Sequence, residues 1–158
     1  MRFADAKVAI KLKPTTEIYL QQANDLYLRA VAYSIIGQPE SALRDLREAV
    51  RVAPNYAGAH ERLAWFIATC PEERFRNGSE AVSSGKKACE MSHWADSSYI
   101  DTLAAACAEV GDFDQATKYE RQSLNDPSLA PKGRKERGER LQLYKQRKPY
   151  RDRLDGST

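Results

Sequence analysis

The sequence predicts an all-α fold of antiparallel helix pairs, on three observations. Small and aromatic residues return at fixed intervals: the spacing of Tyr33, Gly37, Ala42 and Ala49 is repeated by Cys107, Gly111, Ala116 and Ser123. Within each segment the apolar residues fall at i, i+3/i+4 and i+7, the stripe of a helix with one buried face. Glycine and proline are sparse, 8 and 7 in 158 residues, and most of them punctuate the segments. Repeated helix pairs stack into an extended curved surface rather than closing around a pocket.

The elements follow in order. Ala6, Ala9, Ile10, Leu12 and Pro14 have the pattern of the second helix of a pair with no first helix before it. Residues 1–16 are therefore a half repeat, read as the end of a longer array in preference to an N-terminal cap. Over 23–36, Leu26, Ala30 and Tyr33 share a face, extended by Leu20 and Tyr27. Gly37 stops this helix because it tolerates positive φ. Pro39 sits in the next first turn, where a missing N–H does no harm. The second helix carries Ala42, Leu43, Leu46, Ala49 and Val50 and closes at Pro54. Ala30 and Ala42 fall where the two helices cross, and a methyl there lets the axes approach to the short end of the usual ~8–10 Å.

The second pair opens with Leu63, Ala64 and Ile67. Ala81 and Ala88 keep the seven-residue interval, but Ala81 lies five residues later than a regular repeat would place it. The extra residues fall in Cys70–Gly78, where Pro71 and Asn77-Gly78 are breakers, so the connection is longer there. Gly85 reads as a close-packing position within the helix that follows. The third pair starts at Asp96, a candidate N-cap, continues through Leu103–Cys107, turns at Gly111-Asp112 and runs from Gln115 to about Leu124. Pro127 and Pro131 separate it from a last helix, Lys132 to Gln146, with Leu141, Leu143 and Tyr144.

The pattern Leu26, Ala30, Tyr33, Gly37, Ala42, Leu46, Ala49, Pro54 resembles the tetratricopeptide repeat (TPR). It departs from that family at Arg29, where a leucine is usual, and at Leu46, where an aromatic is usual. The stretch Leu63–Pro71 is similar to a variant of bacterial arrays that also carries the longer loop. The resemblance covers most of the chain. It implies an α-solenoid in a right-handed superhelix over residues 1–130, with the half repeat at 1–16 and repeats at about 17–56, 57–95 and 96–130. A capping helix at 131–147 and a basic, flexible tail at 148–158 follow.

The resemblance also implies a function: protein–protein interaction as a scaffold or adaptor, with a peptide held in the concave groove lined by the first helix of each pair. Groove positions transfer to Asn24, Tyr27, Leu28, Val31 and Ile35, then Glu61, Arg62, Trp65 and Thr69, then Asp101, Thr102, Ala105 and Glu109. Trp65 stands out, because a large aromatic there either anchors a partner side chain or packs on the neighbouring repeat. The TPR clamp for chaperone C-terminal carboxylates is not expected: the corresponding positions include Asn24, Arg62 and Asp101, the basic set is absent, and Asp101 and Glu109 would repel a carboxylate. Glu61, Asp101 and Glu109 suit a basic or amphipathic peptide.

Charge suggests a second reading. Lys132–Arg153 holds ten basic and three acidic residues, a net +7 against +3 for the whole chain. Arg134, Arg137, Arg140, Lys145, Lys148 and Arg151, with Tyr144 and Tyr150 interleaved, are candidates for a nucleic acid or other anionic partner; the alternative is a solvated capping helix. A regulatory segment of a larger enzyme and self-association through the end helices are further alternatives.

Enzymology has little support. His60 and His93 have no metal-ligand spacing, and no glycine-rich phosphate loop occurs, so no catalytic residue, metal or cofactor is expected. Cys89 and Cys107 read as small core residues; Cys70, at a loop edge, is the best candidate for a reactive thiol. Three separated cysteines argue against a disulfide framework and for a reducing compartment. The N-terminus lacks the uninterrupted apolar core of a signal peptide, and no stretch approaches the ~18 apolar residues of a membrane helix. A cytoplasmic protein with no membrane contact is the expectation.

Overall fold

A computed structural model describes residues 16–153, and among these every regular element is helical. The helices are α1 (Thr16–Ile35), α2 (Pro39–Val52), α3 (Ala57–Thr69), α4 (Gly78–Met91), α5 (Ser97–Glu109), α6 (Phe113–Leu124) and α7 (Pro131–Lys145), with a 3-10 turn at Glu73–Phe75. The half repeat expected at 1–16 lies outside the described residues except for its last position.

Helix ends follow local chemistry. Gly37 has φ +76°, its N–H donates to the Ser34 carbonyl at 3.2 Å, and the Gln38 N–H donates to the Tyr33 carbonyl at 2.8 Å. Gly111, φ +82°, repeats this at the end of α5: its N–H reaches Ala108 at 3.1 Å and that of Asp112 reaches Cys107 at 2.9 Å. Both are Schellman ends, in which a left-handed residue satisfies carbonyls the helix leaves free. Helices α4 and α7 end in the same way without glycine, at His93 (φ 52°) and Arg147 (φ 57°). Pro39 occupies the first turn of α2. Asn77, Asp96 and Asp112 cap α4, α5 and α6 with side-chain oxygens. Helix α1 begins at Thr16, well before the expected Ala23, since no breaker separates Glu17 from Asn24.

Packing joins neighbours in sequence: α1 lies on α2, α3 on α4 and α5 on α6, while α2 meets α3, α4 meets α5 and α6 meets α7. Helices α1, α3 and α5 also touch in order, forming one layer. Ala30 and Ala42 are both buried in the α1–α2 core. A Cβ built at Gly85 would meet the Leu103 Cα at 3.4 Å, so α4 and α5 approach closely there. Helix α5 is central, with residues 101–108 all buried, as alanine-rich helices surrounded by others are.

The departure at Arg29 has a partner. Its guanidinium holds the buried Asp45 carboxylate of α2 with two hydrogen bonds, at 2.6 and 2.8 Å. The long connection after α3 is built by Arg76, whose Nη1 donates to the Cys70 and Pro71 carbonyls, by buried Phe75, and by the Asn77 N–H, which returns to the Ile67 carbonyl. This fold buries Cys70, the best of three weak candidates for a reactive thiol, which is 1% exposed.

Helix α7 has a buried side, where Arg137 and Arg140 are 6% and 7% exposed. Residues 149–152 belong to the tail expected at 148–158. They leave α7 through the Arg147 turn and pack, half-buried, against α3.

Candidate functional site

The layer of α1, α3 and α5 carries two clefts, with the C-terminal segment running between them. The first, of about 340 Å³, is walled by α1 and α3 and by Asp152 and Arg153. It gathers Tyr27, Val31, Ile35, Glu61, Arg62, Trp65 and Thr69 from the expected groove rows. The second, of about 970 Å³, lies between α3, α5 and α7 and includes Glu61, Trp65, Asp101 and Thr102. Asn24 and Glu109 line neither cleft, and Ala105 is buried.

Trp65 is the common wall. Its indole N–H donates to Asp152 Oδ2 at 2.8 Å, and its ring lies 5.7 Å from that of Tyr150, tilted by 43°. The Arg140 guanidinium stands 5.4 Å from the Trp65 ring and 5.3 Å from the Tyr150 ring, within cation–π range. The Asp152 N–H donates to the Thr69 carbonyl at 2.8 Å. Thr69 therefore contributes its backbone to this face, while its hydroxyl turns back to the Trp65 carbonyl at 2.7 Å.

In the mixed groove expected from Glu61, Asp101 and Glu109, each carboxylate has a partner within the chain. Arg140 Nε and Nη2 hold the two Asp101 oxygens at 3.0 and 2.9 Å, and Arg137 Nε stands at 3.6 Å. Glu109 sits between Arg76 at 2.9 Å and Arg151 at 2.6 Å. Glu61 accepts from the Thr102 hydroxyl at 2.8 Å, and burial pushes its carboxyl above the usual range. On α1, the Arg62 guanidinium covers the Tyr27 ring at 3.4 Å.

The same contacts occupy several of the residues named for an anionic partner. Arg137 is spent on Asp101, Ser97 and the Ser123 carbonyl; Arg140 on Asp101; and Arg151 on Glu109. Arg134 donates to the Leu124 and Asp126 carbonyls across the α6–α7 connection. Lys145 and Lys148 stay exposed, as do Lys132, Lys135, Arg147 and Arg153 of the same run.

Behind this face lies a polar core between α5, α6 and α7. Glu120 is fully buried, 3.9 Å from Arg140 Nε. Burial first, and the Asp101 charge second, raise its carboxyl well above the ordinary range. Burial also pushes the Tyr144 hydroxyl up.

Sequence reasoning missed Asp101, Glu120, Arg137 and Arg140 as one cluster, and it missed Tyr150 and Asp152 as part of the groove. The only hint was a tyrosine and an aspartate inside an otherwise basic tail. Among the described residues no group of three or more His, Cys, Asp or Glu side chains is placed to hold a metal, and no helix is long and apolar enough to cross a membrane. No protein-family model matches the chain, and no curated protein is similar to it.

Proposed function

We propose that this chain is a protein-interaction module of tetratricopeptide type, whose helix pairs stack as a short solenoid and take a peptide segment of a partner along the α1–α3–α5 layer. One observation carries the reading. The layer already holds a non-helical peptide, the chain's own Tyr150–Asp152, by an aromatic contact, an indole hydrogen bond and a main-chain hydrogen bond. Clefts open on either side of that segment and leave room for more of a ligand. The ordered contacts of α1 with α3 and of α3 with α5, and the matching helix ends at Gly37 and Gly111, support the stacked arrangement. We assign the module no catalytic residue. Its three free, buried cysteines suit a reducing compartment such as the cytoplasm.

The test is selection of peptides on the full chain, followed by titration against wild type and Trp65→Ala. Selected peptides bind wild type and lose about tenfold or more in affinity on Trp65→Ala, as truncation of a central aromatic does. Failure to select any peptide, or unchanged affinity, rejects the reading.

A second reading, self-association through α1, is favoured by the large apolar side chains that this helix exposes. Ile18, Leu28 and Ile35, with Ile36 just beyond the helix end, are 54%, 57%, 58% and 64% exposed, and such concentrations mark contact surfaces. Light scattering across concentration decides it: a constant monomer mass removes the idea.

A further inference from the structure

We propose that Tyr150–Arg151–Asp152 is a resident, displaceable ligand of the Trp65 face, and that the partner replacing it presents an aromatic side chain, a basic residue and a carboxylate in succession. This inference rests on the peptide-binding reading above and names the chemistry of its ligand.

Each position of the segment meets a different recognition element. Tyr150 sets its ring beside Trp65. Asp152, two residues on, accepts from the Trp65 indole at 2.8 Å. Alternate residues of a non-helical strand point the same way, so an aromatic and a carboxylate at this interval can both reach one tryptophan. Arg151, between them, turns to Glu109 at 2.6 Å. The Asp152 N–H reads the Thr69 carbonyl, a contact any sequence can make. Main-chain pairing therefore supplies affinity, and the three side chains supply selectivity.

The receiving groups are set before a ligand arrives. Arg140, close to both rings, is held by Asp101, and Arg76 holds Glu109 from the other side. Groups fixed in this way lose little freedom on binding.

The occupant is held mainly by side-chain contacts. Residues 149–152 are half-buried and Arg153 is exposed; one main-chain hydrogen bond, the Trp65–Asp152 bond and an Arg151 bond to the Ala68 carbonyl at 3.4 Å tie the segment to α3, and Arg151 pairs with Glu109. It leaves α7 through Arg147 in the left-handed region, which side-chain-bearing residues disfavour. These few contacts work against the backbone entropy of the ordered segment. A longer partner peptide could extend into the two flanking clefts, beside apolar Val31 and Ile35 on one side and Leu143 on the other. The tether, in turn, keeps the resident segment at high effective concentration, so only a ligand with these added contacts displaces it readily.

The experiment uses the full chain and, as probe, a labelled peptide with the sequence of residues 147–153. Fluorescence polarisation compares wild type with Tyr150→Ala/Asp152→Ala, which removes the resident aromatic and carboxylate from the face (the emptied chain), and with the same variant carrying Trp65→Ala. The probe binds the emptied chain about tenfold or more tighter than wild type, because the tethered competitor has gone, and adding Trp65→Ala removes that gain. Asp152→Asn, which keeps the shape and loses the charge, gives an intermediate gain. Equal binding to wild type and the emptied variant, or no binding to an emptied variant whose circular dichroism matches wild type, overturns the proposal. If Asp152→Asn and the double variant both lose helix content, the segment is a structural part of the fold, and the proposal fails equally. Unrelated peptides that bind at Trp65 with equal affinity to wild type and the emptied chain would sink this inference and leave the peptide-binding reading standing. Absence of peptide binding to either chain sinks both.

Discussion

Arg140 on α7 grips both carboxylate oxygens of Asp101 on α5, at 3.0 and 2.9 Å, and neither side chain is more than 11% exposed. A buried pair of this kind contributes little beyond what well-packed apolar residues would, but breaking one side leaves a charge stranded away from water. Asp101→Ala would strand Arg140 and deprive Arg137 of its nearby charge. We expect it to cost about 3–5 kcal/mol in urea unfolding. Asp101→Leu/Arg140→Met, which removes both charges, should recover a large part of that loss. If the double substitution is as damaging as the single one, the ion pair is not the source of the effect.

Glu120 should make stability depend on pH. Its folded-state carboxyl is raised by burial and then by Asp101, with Arg137 and Arg140 opposing. A raised acid keeps its proton in the folded chain after the unfolded chain has released it. Its contribution is complete below the unfolded value and falls as pH rises toward the folded one. Glu120→Gln has no proton to lose. Between about pH 5 and pH 9 the stability difference should shift in favour of the variant, with a slope of at most about 1.4 kcal/mol per pH unit. Parallel curves for the two chains would show that Glu120 does not titrate as described.

The thiols should be inert. Burial pushes Cys89 up to about 12 and Cys107 up to about 11, and it raises Cys70 as well. A thiol reagent at about pH 8 attacks thiolates, so the folded chain should react slowly and all three cysteines should react once denaturant is added. Rapid native labelling of Cys70 would restore it as a reactive site.

Gly37 and Gly111 should be sensitive for a backbone reason alone, since nothing lies within 4 Å of a Cβ added at either. Gly37→Ala and Gly111→Ala should each cost about 1–2 kcal/mol in chemical denaturation, the penalty of a side chain in the left-handed region; asparagine, which tolerates that region, should cost less. At Gly85 the backbone is helical and an added Cβ would make ordinary contact with Leu103. Gly85→Ala should therefore be tolerated, whereas Gly85→Leu should destabilise by overpacking.

Arg29 offers a test by double-mutant cycle. Arg29→Leu supplies the residue usual in the resembled family and leaves buried Asp45 without its bidentate partner. We expect the single change to destabilise and Arg29→Leu/Asp45→Leu to recover most of the loss in thermal unfolding. Additive effects would mean that the two side chains are not coupled.

Much of the fold was legible because its signals are short-range. Gly37 and Gly111 at positive φ, Asp96 as a cap, Pro39 in a first turn and the Ala42–Leu46–Ala49 stripe each act within a turn or two of their own position. Those features were enough to predict helices and most of their ends. His93 and Arg147 were not foreseen as terminators, because neither is the glycine that usually fills that position.

The candidate site was legible only in part. The resemblance placed Tyr27, Val31, Glu61, Arg62 and Trp65 in neighbouring rows, and in the structure these residues line one cleft. The fate of the charges was not readable. Arg140 and Asp101 are 39 positions apart, and Asp152 and Trp65 are 87 apart. A run of basic residues looks the same in sequence whether it faces water or buried carboxylates. Folding resolves the difference, because ion pairing and desolvation depend on distance through space and on exclusion of water, not on order along the chain. Local propensity and periodicity thus specify the helices, while the neutralised acids, the buried arginines and the segment lying against Trp65 arise only when distant parts of the chain meet.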